Sequence, residues 1–271
     1  KWDFEKIFLR FKGYIMSGVF IIAEAGVNHN GNPDLAFKLV DAAVEAGVDA
    51  VKFQTFKAEN LVVKSAVKAD YQMKTTDSNE SQFAMLKQLE LTHETYIKLI
   101  DYCKEKRIEF LSTAFDLESL NFITNNLGLK TLKIPSGEIT NGPLLLEHAY
   151  TECNLILSTG MSTLVEIEDA LSILAFGFIN GNSSKINPSR EAFQEAFLLE
   201  EGKRMLKERV TLLHCTTEYP APMNEINLNA MLTMSNIFDL KVGYSDHSEG
   251  ISVPTAATAL GAILIEKHFT L

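Results

Sequence analysis

From Val19 onward, short apolar runs alternate with longer stretches whose apolar residues recur at helical spacing. Eight runs read as strands: VFIIAE (19–24), DAVKFQ (49–54), EFLST (109–113), TLKI (131–134), NLILS (154–158), VTLLHC (210–215), KVGY (241–244) and AILIEKH (262–268). Each is bounded by turn residues or helix caps, as expected of strands covered on both faces. Between them lie amphipathic stretches. PDLAFKLVDAAVEAG opens on Pro33 and closes on Gly47, the usual punctuation of a helix. LTHETYIKLIDYCKEK offers Thr92 as a cap, with Thr95 where a full capping box has Glu or Gln. DLESLNFITNNLG, NGPLLLEHAY, STLVEIEDALSILA, NLNAMLTMSN and SVPTAATALG complete the set. Eight strands alternating with seven helices predict a parallel sheet, and the count favours a closed α/β barrel of the (β/α)8 TIM type over an open doubly wound sheet. An eighth helix is not expected, because the chain stops at Leu271, three residues beyond His268.

Two segments break this rhythm. Residues 55–91 form a long loop after the second strand, on the face where barrel enzymes place substrate-handling loops. Residues 177–208 fall on the opposite, stability face; GFINGNSSKINPS reads there as a flexible turn, followed by an acidic helix-like run. No solenoid-type repeat is present.

Against this frame, polar groups fall in unexpected places. An unpaired ionised side chain in an apolar strand costs several kcal/mol, so it needs a partner or a ligand. Glu24, Lys52, Lys133 and Glu266 all lie near the carboxyl ends of strands. Period-two alternation puts Gln54 on the face of Lys52 and His268 on the face of Glu266. Lys267 points the other way and reads as a solvated or helix-packing lysine. The bland alternative for the four charges is a structural ion-pair network inside the barrel.

Four of the six histidines, His29, His214, His247 and His268, sit at or just after strand ends, whereas His93 and His148 fall in helices as surface or packing residues. The last two strands are neighbours, so His247 and His268 can share a metal; two imidazoles with carboxylate and water suit Mn²⁺, Fe²⁺, Co²⁺ or Zn²⁺. Spacing alone leaves a satisfied core histidine an equal alternative for each. Thr113, Ser136, Thr159, Thr217 and Ser245 follow strands three to seven, and hydroxyls joined by two lysines at one barrel mouth suit an anionic, phosphate-bearing ligand.

Composition narrows the function classes. The net charge of −10 and the lack of any basic run argue against nucleic acid as a partner. No apolar stretch approaches the roughly 20 residues that span a bilayer. Cys103, Cys153 and Cys215, without a CxxC, read as buried thiols of a cytoplasmic protein. Residues 1–15 lack a signal-peptide core and are set apart as an N-terminal arm, either upstream of a natural start at Met16 or a short surface extension; residues 16–271 form the barrel.

Eight blocks then carry a resemblance: IIAEAGVNHNG (21–31), VKFQT (51–55), LSTAFD (111–116), LKIPSGEITN (132–141), LSTGM (157–161), LLHCTTEYPAP (212–222), VGYSDHSEG (242–250) and IEKHFTL (265–271). In this order they resemble the sialic acid synthases, a family that includes the legionaminic and pseudaminic acid synthases. The resemblance implies condensation of phosphoenolpyruvate with an N-acetylmannosamine-type acetamido sugar, releasing phosphate and a nine-carbon 2-keto sugar acid. It implies a divalent cation as cofactor, Mn²⁺ before Mg²⁺ or Co²⁺, held by His247 and His268. Lys52, Thr113, Lys133, Ser136 and Ser245 match positions that hold phosphoenolpyruvate. Thr217 matches a further phosphate-holding position, where relatives often carry Asn. Glu24, Gln54, Glu138, Tyr219 and Glu266 match positions facing the acceptor or the reacting centre, with Glu24, Glu138 and Glu266 as the catalytic carboxylates; His214 stands behind them. Members are homodimers whose barrel is followed by an eighth helix and an antifreeze-like domain, which this chain is expected to lack. Two other readings stay open: a phosphoenolpyruvate synthase of the 3-deoxy-octulosonate phosphate or deoxyheptulosonate phosphate type, or a non-catalytic binding barrel.

Overall fold

A computed structural model describes residues 18–68, 80–182 and 185–271. The N-terminal arm, Met16 and part of the 55–91 loop lie outside the described residues. Among the described residues there are eight strands: β1 (Phe20–Gly26), β2 (Ala50–Thr55), β3 (Glu109–Ala114), β4 (Thr131–Ile134), β5 (Asn154–Ser158), β6 (Val210–His214), β7 (Lys241–Asp246) and β8 (Leu264–His268). They pair in sequence order, all parallel, and β8 closes on β1, which makes a closed barrel. The expected barrel and all eight strands are thus observed, with strand ends moved by one or two residues.

Two apolar layers hold the barrel. Ile22, Ala50, Leu111, Ile156, Leu213 and Leu264 point inward and plug its lower interior. The alternate residues, among them Ala23, Val51, Phe53, Leu132, Leu155, Leu157, Leu212 and Tyr244, face outward into the larger core under the helices. Period-two geometry makes this division automatic. β7 fits between its neighbours only because residue 243 is glycine: a Cβ there would stand 2.4 Å from the Leu264 carbonyl oxygen and 2.7 Å from a Leu213 methyl.

Helix caps follow the sequence signals. α1 (Pro33–Glu45) starts on an Asn32 cap with proline in its first turn. The 55–91 loop contains α2 (Ala58–Leu61) and α3 (Gln82–Leu89), and it leads into α4 (His93–Lys106). Thr92 caps α4 through the Thr95 N–H, and the missing Glu is replaced by a 2.9 Å contact between the two threonine hydroxyls. α5 (Leu117–Asn121) passes into a π-turn, and α6 (Gly142–Tyr150) follows β4. After β5 comes α7 (Leu164–Asn180), with a complete Thr163/Glu166 capping box.

The expected turn at 177–189 needs correction, since α7 continues through Asn180. Gly177 is a close helix crossing rather than a break, because a Cβ there would meet the Ala149 Cβ at 2.4 Å. Phe176 is buried and packs edge-on against Phe193 of α8 (Arg190–Leu198). The acidic run forms α8 and α9 (Glu200–Arg209), and α9 feeds directly into β6 on the face opposite the strands' carboxyl ends. α10 (Asn229–Phe238) and α11 (Ser252–Ala259) complete the described helices.

Candidate active site

A polar layer sits directly above the inner plug. Two residues beyond Ile22, Ala50, Leu111, Ile156, Leu213 and Leu264 come Glu24, Lys52, Thr113, Ser158, Cys215 and Glu266, so the same inward face turns from apolar to polar. Lys133 and Ser245 join that layer from β4 and β7. Glu24, Lys52, Thr113, Lys133, Ser158, Ser245 and Glu266 are all buried.

The four charges meet. Lys52 Nζ lies 2.6 Å from Glu24 Oε2 and 3.5 Å from Glu266 Oε2, and it donates to the Thr113 hydroxyl at 3.0 Å. Lys133 Nζ donates to Glu266 Oε1 at 2.9 Å, and the Ser245 hydroxyl donates to the same oxygen at 2.7 Å. Gln54 Nε2 donates to Glu24 Oε1 at 3.3 Å. The ion-pair network and the anion-site reading therefore describe the same atoms. Burial alone raises both carboxylates' pKa values. For Glu24 burial wins over Lys52, and its pKa is raised; for Glu266 the two lysines outweigh burial and hold it well below the usual carboxylate range. Lys52, despite burial, is pushed up by Glu24 and Glu266 and stays charged. Lys52 takes up Glu24 Oε2 at 2.6 Å, whereas Glu266 Oε2 has only the 3.5 Å contact with Lys52, and the buried Ser158 hydroxyl has no partner beyond the neighbouring Cys215 thiol. Unused polar capacity of this kind marks a layer shaped for something besides itself.

The imidazoles stand at the rim. The His247 and His268 ring centroids are 5.6 Å apart, and Tyr219 lies 4.1 Å from His247 and 5.6 Å from His268. His247 Nδ1 is 2.5 Å from the Thr216 carbonyl oxygen, so Nδ1–H donates and Nε2 keeps its lone pair. Burial, opposed by that bond, lowers the His247 pKa to about 4. One edge of His268 is open to solvent; enclosure of the rest of the ring, followed by the Lys52 cation, lowers its pKa to about 4. Both rings are neutral at neutral pH, as metal-binding imidazoles must be. Among the described residues no group of three or more His, Cys, Asp or Glu side chains converges on one point. The pair thus fits a cation whose remaining positions are filled by substrate or water oxygens.

Other expected residues fall farther out. Ser136 and Glu138 form a 3-10 turn after β4, and the Glu138 carboxylate accepts from Asn141 Nδ2 at 2.8 Å, supporting the cap of α6. Thr217 is exposed on the loop after β6. His29 is a core residue: it is fully buried, stacks on Phe53, and accepts the Gly31 N–H at 3.0 Å. His214 faces outward, tilted against Tyr244, and lines a 290 Å³ cavity with Ile167, Ala230 and Met234. His148 is buried within α6, and His93 stacks on Phe122. Lys267, expected to point outward as a solvated or helix-packing lysine, does face outward and is part-exposed, and it pairs there with buried Asp246 at 2.5 Å. The Thr159 hydroxyl donates to the Leu213 carbonyl at 3.0 Å and is already occupied, whereas its neighbour Ser158 takes the inward position. Ser158 was missed, although alternation from Ile156 points straight to it.

The two described ends of the 55–91 loop are tied to each other and to the residues after β3. The Glu90 carboxylate accepts the Ala58 N–H at 2.7 Å, and Asp116, just past β3, accepts from Lys57 N–H at 3.3 Å and from Asn60 at 3.3 Å.

Residues 39–271 match the NeuB family model. The chain is 50% identical over 256 residues to an N,N'-diacetyllegionaminic acid synthase of Campylobacter jejuni, covering 94% of this chain and 69% of that one.

The chain belongs to the NeuB family.

A second NeuB relative, an N,N'-diacetyllegionaminic acid synthase of Legionella pneumophila, is 47% identical, covering 93% of this chain and 64% of its own length. The crystal structure of an N-acetylneuraminic acid synthetase from Leptospira borgpetersenii, in complex with citrate, superposes with a TM-score of 0.71 at 32% identity, covering 94% of this chain and 74% of that one. The chain thus spans roughly two thirds of the two synthases' length.

Proposed function

We propose that this chain carries the catalytic barrel of a synthase that condenses phosphoenolpyruvate with an N-acetylated mannose-type sugar, giving a nine-carbon 2-keto sugar acid and phosphate. The buried layer of Glu24, Lys52, Lys133 and Glu266 beneath His247 and His268 carries this reading. Identities of 50% and 47% to two diacetyllegionaminic acid synthases favour a 2,4-diacetamido sugar as acceptor.

Lys52 and Lys133, joined by Thr113, Ser136, Ser158 and Ser245, hold the phosphate and carboxylate of phosphoenolpyruvate. In doing so the lysines exchange their present carboxylate partners for substrate oxygens, which are their equals in charge-assisted bonding. Gln54 and Tyr219, with Thr217 and Glu138 farther out, face the acceptor. His247 and His268 would hold a divalent cation, Mn²⁺ foremost, which would supply Lewis-acid polarisation of the acceptor's aldehyde. Attack by C3 of phosphoenolpyruvate on the aldehyde carbon leaves positive charge at C2, which ionised Glu266 stabilises from its fixed position. Water adds at C2, and Glu24, whose pKa burial raises, accepts its proton. The hemiketal phosphate then expels phosphate through C–O cleavage. Holding both substrates in one mouth contributes much of the acceleration.

The test is phosphate release from phosphoenolpyruvate, with Mn²⁺, against N-acetylmannosamine and 2,4-diacetamido-2,4,6-trideoxymannose, with mass analysis of the product. A nine-carbon keto acid from the diacetamido sugar at the higher kcat/KM is expected. Phosphate release that is independent of both sugars overturns the reading.

A further inference from the structure

β7 and β8 carry a second charged pair, on the side of the strands facing away from the site. Their register pairs Ser245 with Glu266 and Asp246 with Lys267. Alternation sends the first pair inward, where Ser245 and Glu266 are hydrogen-bonded, and the second outward. Asp246–Lys267 is the last paired rung of this ladder, and His247 and His268 lie one step beyond it. Backbone pairing between β7 and β8 therefore stops just short of the two imidazoles.

Lys267 fills that gap. Its Nζ donates to Asp246 Oδ2 at 2.5 Å and to the Ser248 carbonyl at 2.8 Å. These residues flank His247 on either side, so a lysine adjacent to His268 grips both chain neighbours of the other histidine. Asp246 Oδ1 in turn accepts the Ser248 N–H at 2.9 Å and the Ser248 hydroxyl at 2.6 Å, which turns the chain tightly around His247. The Asp246 side chain is wholly buried and that of Lys267 is 29% exposed. A pair this deep contributes little net stability compared with apolar residues of the same size. What it does specify is register, since a slip of one residue would turn both imidazoles out of the site.

We propose that Asp246 and Lys267 are positioning residues that set the separation and orientation of His247 and His268 from outside the barrel. This rests on the reading that the two imidazoles hold a divalent cation. Outer groups that orient metal ligands typically change metal affinity by about 10–100-fold when removed.

The measurement is Mn²⁺ affinity by calorimetric titration of the full chain and its variants, with the histidine ring NMR signals recorded before metal is added. Lys267→Met is expected to weaken Mn²⁺ at least about tenfold and to shift both the His247 and His268 signals. Lys267→Arg keeps the charge and the grip and restores affinity to within a few-fold. Leu174→Ala, in the outer core away from β7 and β8, lowers the melting temperature without moving the affinity or those signals. Should Lys267→Met fail to fold, Asp246→Asn, which keeps the Ser248 contacts, takes its place with the same expectation. Unchanged affinity and ring signals in Lys267→Met overturn the positioning role, as does equal weakening by Leu174→Ala. A failure of the underlying cation reading looks different: the unaltered chain then takes up no Mn²⁺, or takes it up equally after His247→Ala, and the positioning role falls with it.

Discussion

The buried network of Lys133, Glu266, Lys52 and Glu24 can be made to reveal whether it serves stability or a ligand. Removing Lys133 alone leaves the Glu266 carboxylate buried, with Lys52 at 3.5 Å and Ser245 at 2.7 Å as its remaining partners. Breaking a buried pair in this way costs about 3–5 kcal/mol. For a chain of this size each kcal/mol moves the melting temperature by about 2–4 °C, so Lys133→Ala should melt roughly 6–20 °C lower. The informative variant is the double one, Lys133→Met with Glu266→Gln. It removes both charges, keeps comparable volume, and leaves Ser245 a partner. Replacing a buried pair as a unit is neutral or stabilising by about 1–4 kcal/mol, so the double variant should melt at or above the unaltered chain. Phosphoenolpyruvate at about one hundred times its Kd adds about 2.7 kcal/mol to a chain that binds it. That is a rise of about 5–10 °C for the unaltered chain with Mn²⁺, and none for the double variant. Thermal melts with and without phosphoenolpyruvate read both effects. A double variant that melts far lower and still gains from phosphoenolpyruvate would mean that the network is structural, and the proposed chemistry would be wrong.

Other expectations are as specific. Ser158→Ala, which removes a buried hydroxyl with no partner beyond the Cys215 thiol, should raise the KM for phosphoenolpyruvate about tenfold, the equivalent of one hydrogen bond to a charged group, with little change in the melting temperature. Thr159→Val, next to it but facing outward, should do the reverse in steady-state kinetics and melts. His148 is buried in α6 and burial lowers its pKa from 6.5 to about 4. Above pH 6.5 its neutral ring contributes fully to stability; between 6.5 and 4 the unfolded chain takes the proton first, so stability falls with pH, by about 3 kcal/mol when the fall is complete. Urea midpoints from pH 7.5 to 4 should flatten in His148→Leu relative to the unaltered chain, and parallel curves would remove His148 as a cause. Gly31 has φ +72°, and a Cβ there would stand 2.0 Å from the Gln88 carbonyl oxygen. Gly31→Ala should push α3 off the barrel and speed proteolysis within residues 57–92, whereas an unchanged cleavage rate would show that the loop is held elsewhere.

The fold was legible because a parallel barrel buries its strands on both faces, so each strand is a short apolar run that cannot be mistaken for a loop. The site was legible for the same reason. Charged residues have no business in such runs, and Glu24, Lys52, Lys133 and Glu266 stood out. Ser158 escaped because a serine next to a threonine at a strand end is commonplace; only the inward direction of Ile156, fixed by packing with Ile22 and Leu213, tells the two hydroxyls apart. The direction of Lys267 was legible but its partner was not, because alternation says which way a side chain points and not what waits there, and Asp246 comes from a strand 21 residues earlier in the chain. The continuation of α7 through Gly177 was hidden because glycine reads as a break until the Ala149 contact is seen.

The barrel's division of labour follows from one geometric fact. A strand offers two faces at every height, and climbing two residues along the inner face replaces Ile22, Leu111 and Leu264 by Glu24, Thr113 and Glu266. The apolar plug below supplies rigidity, so the polar layer above need not be at its own energy minimum. Its lysines can rest on carboxylates and still leave Glu266 Oε2 with only a 3.5 Å contact, a state that in a less supported site would collapse or recruit water. Variants of the plug should therefore change melting temperature, and variants of the polar layer should change what the chain does with phosphoenolpyruvate. The outward pair Asp246–Lys267 lies between these classes, since it touches neither the plug nor a substrate and yet stands next to both imidazoles. Its variants should separate metal affinity from melting temperature, which neither of the other classes can do.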